Sequence, residues 1–229
     1  METVSWPPGT LLSALDAPDR AALLRLGSPR TFEPAETLIS EGTAGGSSYL
    51  LLRGCVKVLA SGADGRTVLL SIRVAGDLVG ELAALDGKPR SASVVAATRT
   101  VARVITQPAF LRFLAERPAA ARAVHEAVIA ELRRATRHRI SVNAAPATTR
   151  LARVLRHLVD AYGAPRDDGT HIEVPLSQPE LASLAGVSEP TVHRALTELR
   201  AREIVRTEYR HLVVSDPEAL GRLADGPGT

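Results

Sequence analysis

The sequence is poor in lysine and cysteine, and it has no long apolar run. Lys57 and Lys88 are the only lysines, so arginine carries nearly all the positive charge. Cys55 is the single cysteine. It excludes an internal disulfide and a four-thiolate iron–sulfur centre. Cys55 sits in the strand-like run Leu51-Leu52-Arg53-Gly54-Cys55-Val56-Lys57-Val58-Leu59 and reads as a small buried apolar residue. The 6 histidines (125, 138, 157, 171, 193 and 211) all fall in the second half, which argues against haem ligation in the first. There is no Ser/His/Asp set, no metal-spaced His cluster and no nucleotide-hydrolysis loop, so enzymatic chemistry is not expected. No apolar run approaches the ~20 residues of a transmembrane helix. Met1-Glu2-Thr3-Val4-Ser5-Trp6-Pro7-Pro8 has no basic start and no long apolar segment, unlike a signal peptide. A cytoplasmic location without membrane contact is the expectation.

What is present is enough for one large or two small domains: 229 residues, 45% of them apolar. The net charge of +3 mildly favours a polyanionic partner. Leu11 to Leu26 reads as a helical stretch, with Asp16 and Pro18 forming a start signal and Leu23, Leu24 and Leu26 an apolar face. The period then changes. Seven short runs rich in β-branched residues follow: 31–33, 37–39, 48–52, 55–59, 67–72, 93–96 and 101–105. Turn clusters at 41–46, 61–65 and 75–77 separate them. Many short strands with regular turns predict a sandwich or barrel-like roll.

After Gln107-Pro108 the period becomes helical. A short helix over Ala109–Glu116 breaks before Pro118, and a long one runs from Ala119 to about Val142. Ala121, Val124, Val128, Leu132 and Ala135 recur on it at three- and four-residue spacing. Such a seam packs against something large, the chain's own strands being the bland candidate. Arg133, Arg134, Arg137, His138 and Arg139 make its end basic, which suits a helix C-terminus. Asn143-Ala144-Ala145-Pro146-Ala147-Thr148 reads as a hinge. An amphipathic helix over Thr149–Val159, a polar loop over Gly163–Thr170 and a short strand over His171–Pro175 complete this part.

Two constellations carry chemistry. The first is Gly80-Glu81-Leu82-Ala83-Ala84-Leu85-Asp86-Gly87-Lys88-Pro89-Arg90-Ser91-Ala92-Ser93. Gly80 lets backbone approach a ligand closely, because it has no Cβ. The Glu81 carboxylate can accept from a ribose hydroxyl, and Arg90 offers a planar fork of donors suited to phosphate. Ser91 adds a hydroxyl, and nearby N–H groups can form an anion nest. A surface turn with an ordinary Glu81–Arg90 ion pair is the bland alternative. The stretch resembles the phosphate-binding cassette of cyclic-nucleotide-binding domains, as in the regulatory subunits of cyclic-AMP-dependent kinase and the bacterial cyclic-AMP receptor protein. The resemblance implies that Gly80, Glu81, Leu82, Arg90 and Ser91 hold a cyclic nucleotide, Glu81 at the ribose 2′-hydroxyl, Arg90 and Ser91 at the cyclic phosphate.

The second is a helix-turn-helix pattern from Gln178 to Leu196, opened by the capping box Ser177-Gln178-Pro179-Glu180. Ala182 is small where two helices cross. Gly186 tolerates a left-handed turn, and Val187 and Val192 fill the gap. Ser188 is placed to cap the second helix, and Pro190 falls in its first turn. Residues 204–214 look like a hairpin wing. From Asn143 onward ten arginines face twelve acidic residues, a net −2, so any DNA-binding charge here must be locally arranged.

Together these resemble the cyclic-AMP receptor protein / fumarate-nitrate regulator family of bacterial transcription regulators, from about Leu11 to Val214. The implied fold is α+β: a cyclic-nucleotide-binding β-roll (1–117), a dimerisation helix and hinge (118–145) and a winged helix-turn-helix domain (146–229). The implied function is a homodimeric, effector-responsive transcription regulator. Its partners would be cyclic AMP as effector, a near-palindromic double-stranded operator and RNA polymerase, with no further cofactor and no metal. Ser177, Gln178, Ser188, Glu189, Thr191, His193 and Arg194 are the implied DNA-contacting residues, with Arg194 suited to guanine.

Three departures stand out. The recognition helix begins Ser188-Glu189-Pro190-Thr191-Val192 where the cyclic-AMP receptor protein has Ser-Arg-Glu-Thr-Val. Two adjacent hydroxyl residues contact adenine there, and Ala135 and Thr136 take their places here, leaving only Thr136 with a hydroxyl. An acidic residue near the position of Pro146 is missing. A regulator answering to another effector, or to none, is the alternative.

Overall fold

The computed structural model describes residues 6–62, 65, 67–142, 145–208 and 211–226, with side chains for all of these except 137–142. The side chains of Arg137, His138 and Arg139, residues Asn143 and Ala144 of the expected hinge, and Tyr209 and Arg210 of the expected wing lie outside that set. The chain divides into two compact units, Met1–Leu132 and Arg133–Thr229.

The first unit opens with α1 (Leu11–Ala14) and α2 (Ala17–Arg25). The single helical stretch expected over 11–26 is two helices. Asp16 takes an extended conformation between them, and its carboxylate accepts from the Asp19 N–H at 2.8 Å, so the second helix needs a fresh start there. Eight strands follow: β1 (Ser28–Phe32), β2 (Thr37–Ile39), β3 (Ser47–Arg53), β4 (Cys55–Ser61), β5 (Thr67–Val74), β6 (Leu78–Val79), β7 (Ser93–Ala96) and β8 (Thr100–Thr106). They form two antiparallel four-stranded sheets, β1-β8-β3-β6 and β2-β7-β4-β5.

Alternation along the strands sorts side chains between two cores. Phe32, Ile39, Leu51, Val56, Val79 and Val94 fill the roll interior. Leu50, next to Leu51, points the other way and joins Leu12, Leu23, Ile105, Phe110 and Phe113 beneath the helices. The short helix α3 (Glu81–Asp86) lies between β6 and β7. Two helices, α4 (Gln107–Glu116) and α5 (Pro118–Val142), follow the last strand.

The apolar seam of α5 is divided. Ala120, Ala123 and Val124 are buried in the helix-side core of their own unit. Further along, Ile129 is 49% exposed and Leu132 67% exposed. Packing on the chain's own strands therefore accounts for the first half of the seam only.

The second unit contains α6 (Ala147–Tyr162), β9 (Gly163–Arg166), β10 (Gly169–Ile172), α7 (Gln178–Ala185), α8 (Glu189–Ala201), β11 (Val205–Glu208), β12 (His211–Val214) and α9 (Pro217–Asp225). The stretch 163–170, expected as a loop, holds β9 and the start of β10. Their antiparallel pairing extends the wing into a four-stranded sheet, β11-β12-β10-β9. Tertiary pairing overrides the weak strand propensity of Gly163-Ala164-Pro165-Arg166. Leu151, Leu155, Leu158, Val192, Leu196 and Leu199 are essentially inaccessible, so the helices share one core. Among the described residues no helix is long and apolar enough to cross a membrane, and no group of three or more His, Cys, Asp or Glu is arranged to hold a metal.

Candidate functional site

The cassette is built from backbone outward. Gly80 follows β6 and caps α3 with φ of 81°, in the left-handed region that favours glycine. A Cβ there would lie 2.6 Å from Arg90 Nη1 and 2.8 Å from Ile39 Cδ1. Glycine is thus required twice, by its torsion and by the approach of Arg90. The Arg90 side chain is buried, at 8% exposure. Its Nη1 donates to the Gly80 carbonyl at 2.8 Å and its Nη2 donates to the Ser47 carbonyl. Its backbone is pinned as well: the Arg90 N–H donates to Thr43 O, and the Gly42 N–H donates to Arg90 O, both at 2.9 Å. A guanidinium has five N–H donors, so two carbonyl bonds hold the fork and leave donors for an anion. The bland alternative fails here, because the Arg90 fork lies on two carbonyls and not on Glu81.

Glu81 begins α3, with Leu82 and Ser91 exposed nearby in sequence. Burial pushes the Glu81 carboxyl above the usual carboxylate range, against the pull of a backbone hydrogen bond and of Arg73. Glu131 and Asp77 push it the same way as burial does. Arg73 forms an ion pair with Glu131 of α5 at 2.7 Å. Burial works against its charge, but the carboxylates of Glu131, Asp77 and Glu81 outweigh that and raise its pKa. Thr136 lies further along α5, in the second unit, and is exposed.

In the second unit the helix-turn-helix is well formed. Ser177 and Glu180 make a reciprocal capping box at the start of α7. Gly186 caps its end with φ of 61° and ψ of 39°, and Arg150 Nη1 donates to the Gly186 carbonyl at 2.9 Å. Val192 is wholly buried, whereas Val187 is only partly so.

One expectation is corrected. Ser188 stands at the cap position of α8, but its hydroxyl makes no cap bond. It pairs instead with Thr191 Oγ1 at 2.8 Å, and Arg194 Nη2 donates to the same Thr191 oxygen at 3.4 Å. The first-turn N–H groups turn instead to the Ser188 carbonyl, which accepts from the Thr191 N–H at 3.0 Å and the Val192 N–H at 3.1 Å. Glu189, His193, Arg194, Thr197 and Arg200 are all exposed on this helix. Gln178 begins α7 and is half-buried.

Residues 29–117 match the cyclic nucleotide-binding domain family, and residues 149–223 match the Crp-like helix-turn-helix domain family. Over 204 residues the chain is 30% identical to a "CRP-like cAMP-activated global transcriptional regulator" of Mycobacterium tuberculosis, covering 89% of this chain and 91% of that one. The chain belongs to the cyclic-AMP receptor protein / fumarate-nitrate regulator family. It is 26% identical to the nitrogen fixation regulation protein FixK of Bradyrhizobium diazoefficiens, over 93% of this chain and 88% of that one. Among solved structures, a CRP-family transcriptional regulator from Thermus thermophilus superimposes with a TM-score of 0.73 at 26% identity, covering 86% of this chain and 97% of that one. The protein is thus a CRP-family DNA-binding transcription regulator with a cyclic nucleotide-binding domain.

In this family member, sequence reasoning misses Arg73, Ser47 and Arg200. Ser47 acts through its carbonyl, which no sequence pattern reveals. Arg200 bonds Thr207 of the wing at 3.1 Å and Thr197 at 3.0 Å, so it links recognition helix to wing. Arg73 pairs across the strands with Val56, whose side chain is fully buried. That register belongs to the folded sheet, so the sequence carried no signal for it.

Proposed function

We propose that this regulator is a homodimer that binds cyclic AMP and then a near-palindromic operator. The observation that carries the reading is the buried Arg90, held by the Gly80 and Ser47 carbonyls with donors to spare. In this reading Arg90 and Ser91 take the cyclic phosphate, Glu81 takes the ribose 2′-hydroxyl, and Gly80 and Leu82 complete the wall. By analogy with the family, Thr136 of one chain offers its hydroxyl across the dimer to the pocket of the other. The relative from M. tuberculosis is described as cAMP-activated, which favours cyclic AMP among cyclic nucleotides. The working division is a β-roll over 1–117, a dimerisation helix and hinge over 118–145, and a DNA-binding domain over 146–229.

The dimer reading rests on Ile129 and Leu132, apolar and open to solvent on α5. Each contributes about 1.5–3 kcal/mol when fully buried, a strong drive toward a twin helix. On DNA, the two recognition helices would meet half-sites about 34 Å apart. Glu189, His193 and Arg194 face base edges, while Ser177, Gln178, Ser188 and Thr191 suit phosphates. RNA polymerase is the protein partner such a regulator would engage, in the cytoplasm.

A second reading rests on Ala135, which lacks the hydroxyl that a base contact would use: the same regulator answering to a different small effector, or to none. Titration calorimetry with cyclic AMP and cyclic GMP separates the two, run beside sedimentation and operator binding. Micromolar cyclic AMP binding by a dimer is the expected result. No heat with either nucleotide at millimolar concentration, in a chain that still binds DNA, would establish the second reading.

A further inference from the structure

The arginines of the second unit are held in two ways. Arg156, Arg166, Arg202, Arg206 and Arg222 each form an ion pair with a carboxylate. Arg200, exposed on α8, has no carboxylate partner among the described residues. Its Nη1 donates to Thr207 Oγ1 of β11 at 3.1 Å, and its Nη2 donates to Thr197 Oγ1 at 3.0 Å. The Thr197 hydroxyl in turn donates to the His193 carbonyl at 2.9 Å, so its lone pairs are what face Arg200. A hydroxyl orients a guanidinium without cancelling its charge. Two of the five N–H donors are used here, and the rest stay available to an anion.

The place of Arg200 on the helix says which anion. Glu189, His193, Thr197 and Arg200 follow one another at spacings of four, four and three, so they share one stripe of α8. At 1.5 Å of rise per residue Arg200 lies about 16 Å along the axis from Glu189. The major groove is only about 12 Å wide. A helix whose first turn meets base edges therefore carries Arg200 out to the rim of the groove, where the phosphates are. The wing arrives at the same point: Val205 of β11 is buried, but Thr207 is exposed where the strand leaves the core.

We infer that Arg200 is a phosphate-contacting residue of the DNA interface, aimed by Thr197 and Thr207 at the junction of recognition helix and wing, and that it anchors the DNA backbone without reading sequence. The inference rests on the docking of α8 proposed above and is independent of the effector. It differs from a plain strut between helix and wing. A strut needs donors toward the threonines and no charge, and its loss lowers stability. An anchor needs the charge, and its loss shows in the salt dependence of DNA binding.

The test titrates the full chain, with and without cyclic AMP, over a range of salt concentrations. The probes are a duplex selected from random DNA by the unaltered protein and a scrambled duplex of the same composition. Arg200→Ala should weaken binding to both duplexes alike, by about tenfold, as for a lost hydrogen bond to a charged group. The slope of log affinity against log salt should shrink by about 0.9 for each chain on the duplex. Arg200→Gln keeps a donor for the threonines but loses the charge. It should show the same change of slope at an unchanged melting temperature, which keeps the test valid even if Arg200→Ala disturbs the fold. Arg200→Lys should restore the slope. The base profile selected by Arg200→Gln should match that of the unaltered protein, in contrast to Arg194→Ala. An unchanged slope in Arg200→Gln makes Arg200 a strut and overturns the inference. A changed base profile overturns it as well, and in both cases the docking of α8 stands. Failure of the unaltered chain to bind either duplex overturns the docking and the inference together.

Discussion

The cassette and the recognition helix solve recognition in opposite ways. In the cassette the key cation is buried and fixed by backbone: two carbonyls hold the Arg90 fork, and Gly80 makes room for it. On α8 the candidate reading residues Glu189, His193 and Arg194 are exposed, and the side-chain bonds at the start of the helix join neighbours on that helix, through the 2.8 Å Ser188–Thr191 contact and the long 3.4 Å bond from Arg194 to Thr191. A group held by backbone cannot change without disturbing the fold. A group held by neighbouring side chains can be exchanged freely. The cassette is thus constrained by folding, and the exposed face of α8 is left open to retuning, as Glu189 and Pro190 illustrate.

The sharpest way to break this contrast is Arg90→Leu. In the proposed reading it removes the phosphate partner, and it strands the carbonyls of Gly80 and Ser47. A loss of roughly 3–5 kcal/mol in nucleotide binding is expected, or two to three orders of magnitude in affinity by calorimetry. The melting temperature of the ligand-free protein should fall too, since the arginine is structural as well as functional. Gly80→Ala comes next. The left-handed torsion alone costs about 1–2 kcal/mol, and the clash with Arg90 adds to it. Lower stability and weaker nucleotide binding should appear together, by differential scanning fluorimetry and calorimetry. A variant with weaker binding and undiminished stability would contradict the backbone account.

Arg194→Ala should behave differently. Stability should hardly move, while DNA affinity falls by about 1–3 kcal/mol with relaxed preference at one base pair per half-site. Selection from random DNA, with the unaltered protein alongside, reads this directly. An unchanged base profile removes Arg194 from the reading set.

The smallest effect concerns two carboxylates displaced in opposite directions. Glu81 is raised above its ordinary 4.5 by burial. Its ionisation therefore opposes folding at neutral pH, and that penalty disappears as pH falls toward 4.5. Asp168, an exposed residue of the β9–β10 turn, is lowered below its ordinary 3.8, first by the hydrogen bond with His171 at 2.9 Å and less by Arg206. Its contribution is present above 3.8 and is lost as pH falls through its folded-state value. Glu81→Gln should raise the neutral-pH melting temperature of the ligand-free protein, and Asp168→Asn should lower it slightly. Both differences should shrink in acid. Melting curves between pH 3 and 7 check the two signs, and a shared sign would refute the contrast between buried and exposed charge.

Much of this was legible in the residues themselves. β2 and β7 fall where their β-branched runs lie, because alternation across a half-buried sheet is a local property. The capping box at Ser177 and the glycine turn at Gly186 also follow from local chemistry. The cassette could be found because Gly80, Glu81, Arg90 and Ser91 lie within one short stretch.

What lay beyond reach depends on distant partners. β6 has only two residues and exists because β3 pairs with it. β9 exists because β10 does. Ser188 has the composition of a cap, yet Thr191 takes its hydroxyl. The long seam of α5 is one apolar stripe by spacing, and only the packed core decides that Val124 is covered while Leu132 is not. The Arg73–Glu131 pair joins residues 58 positions apart in the chain. A sequence by itself determines which local structures and side-chain chemistries are available. Only tertiary packing decides which donors meet which acceptors, because a hydrogen bond or an ion pair depends on separations of a few ångströms that chain spacing does not specify.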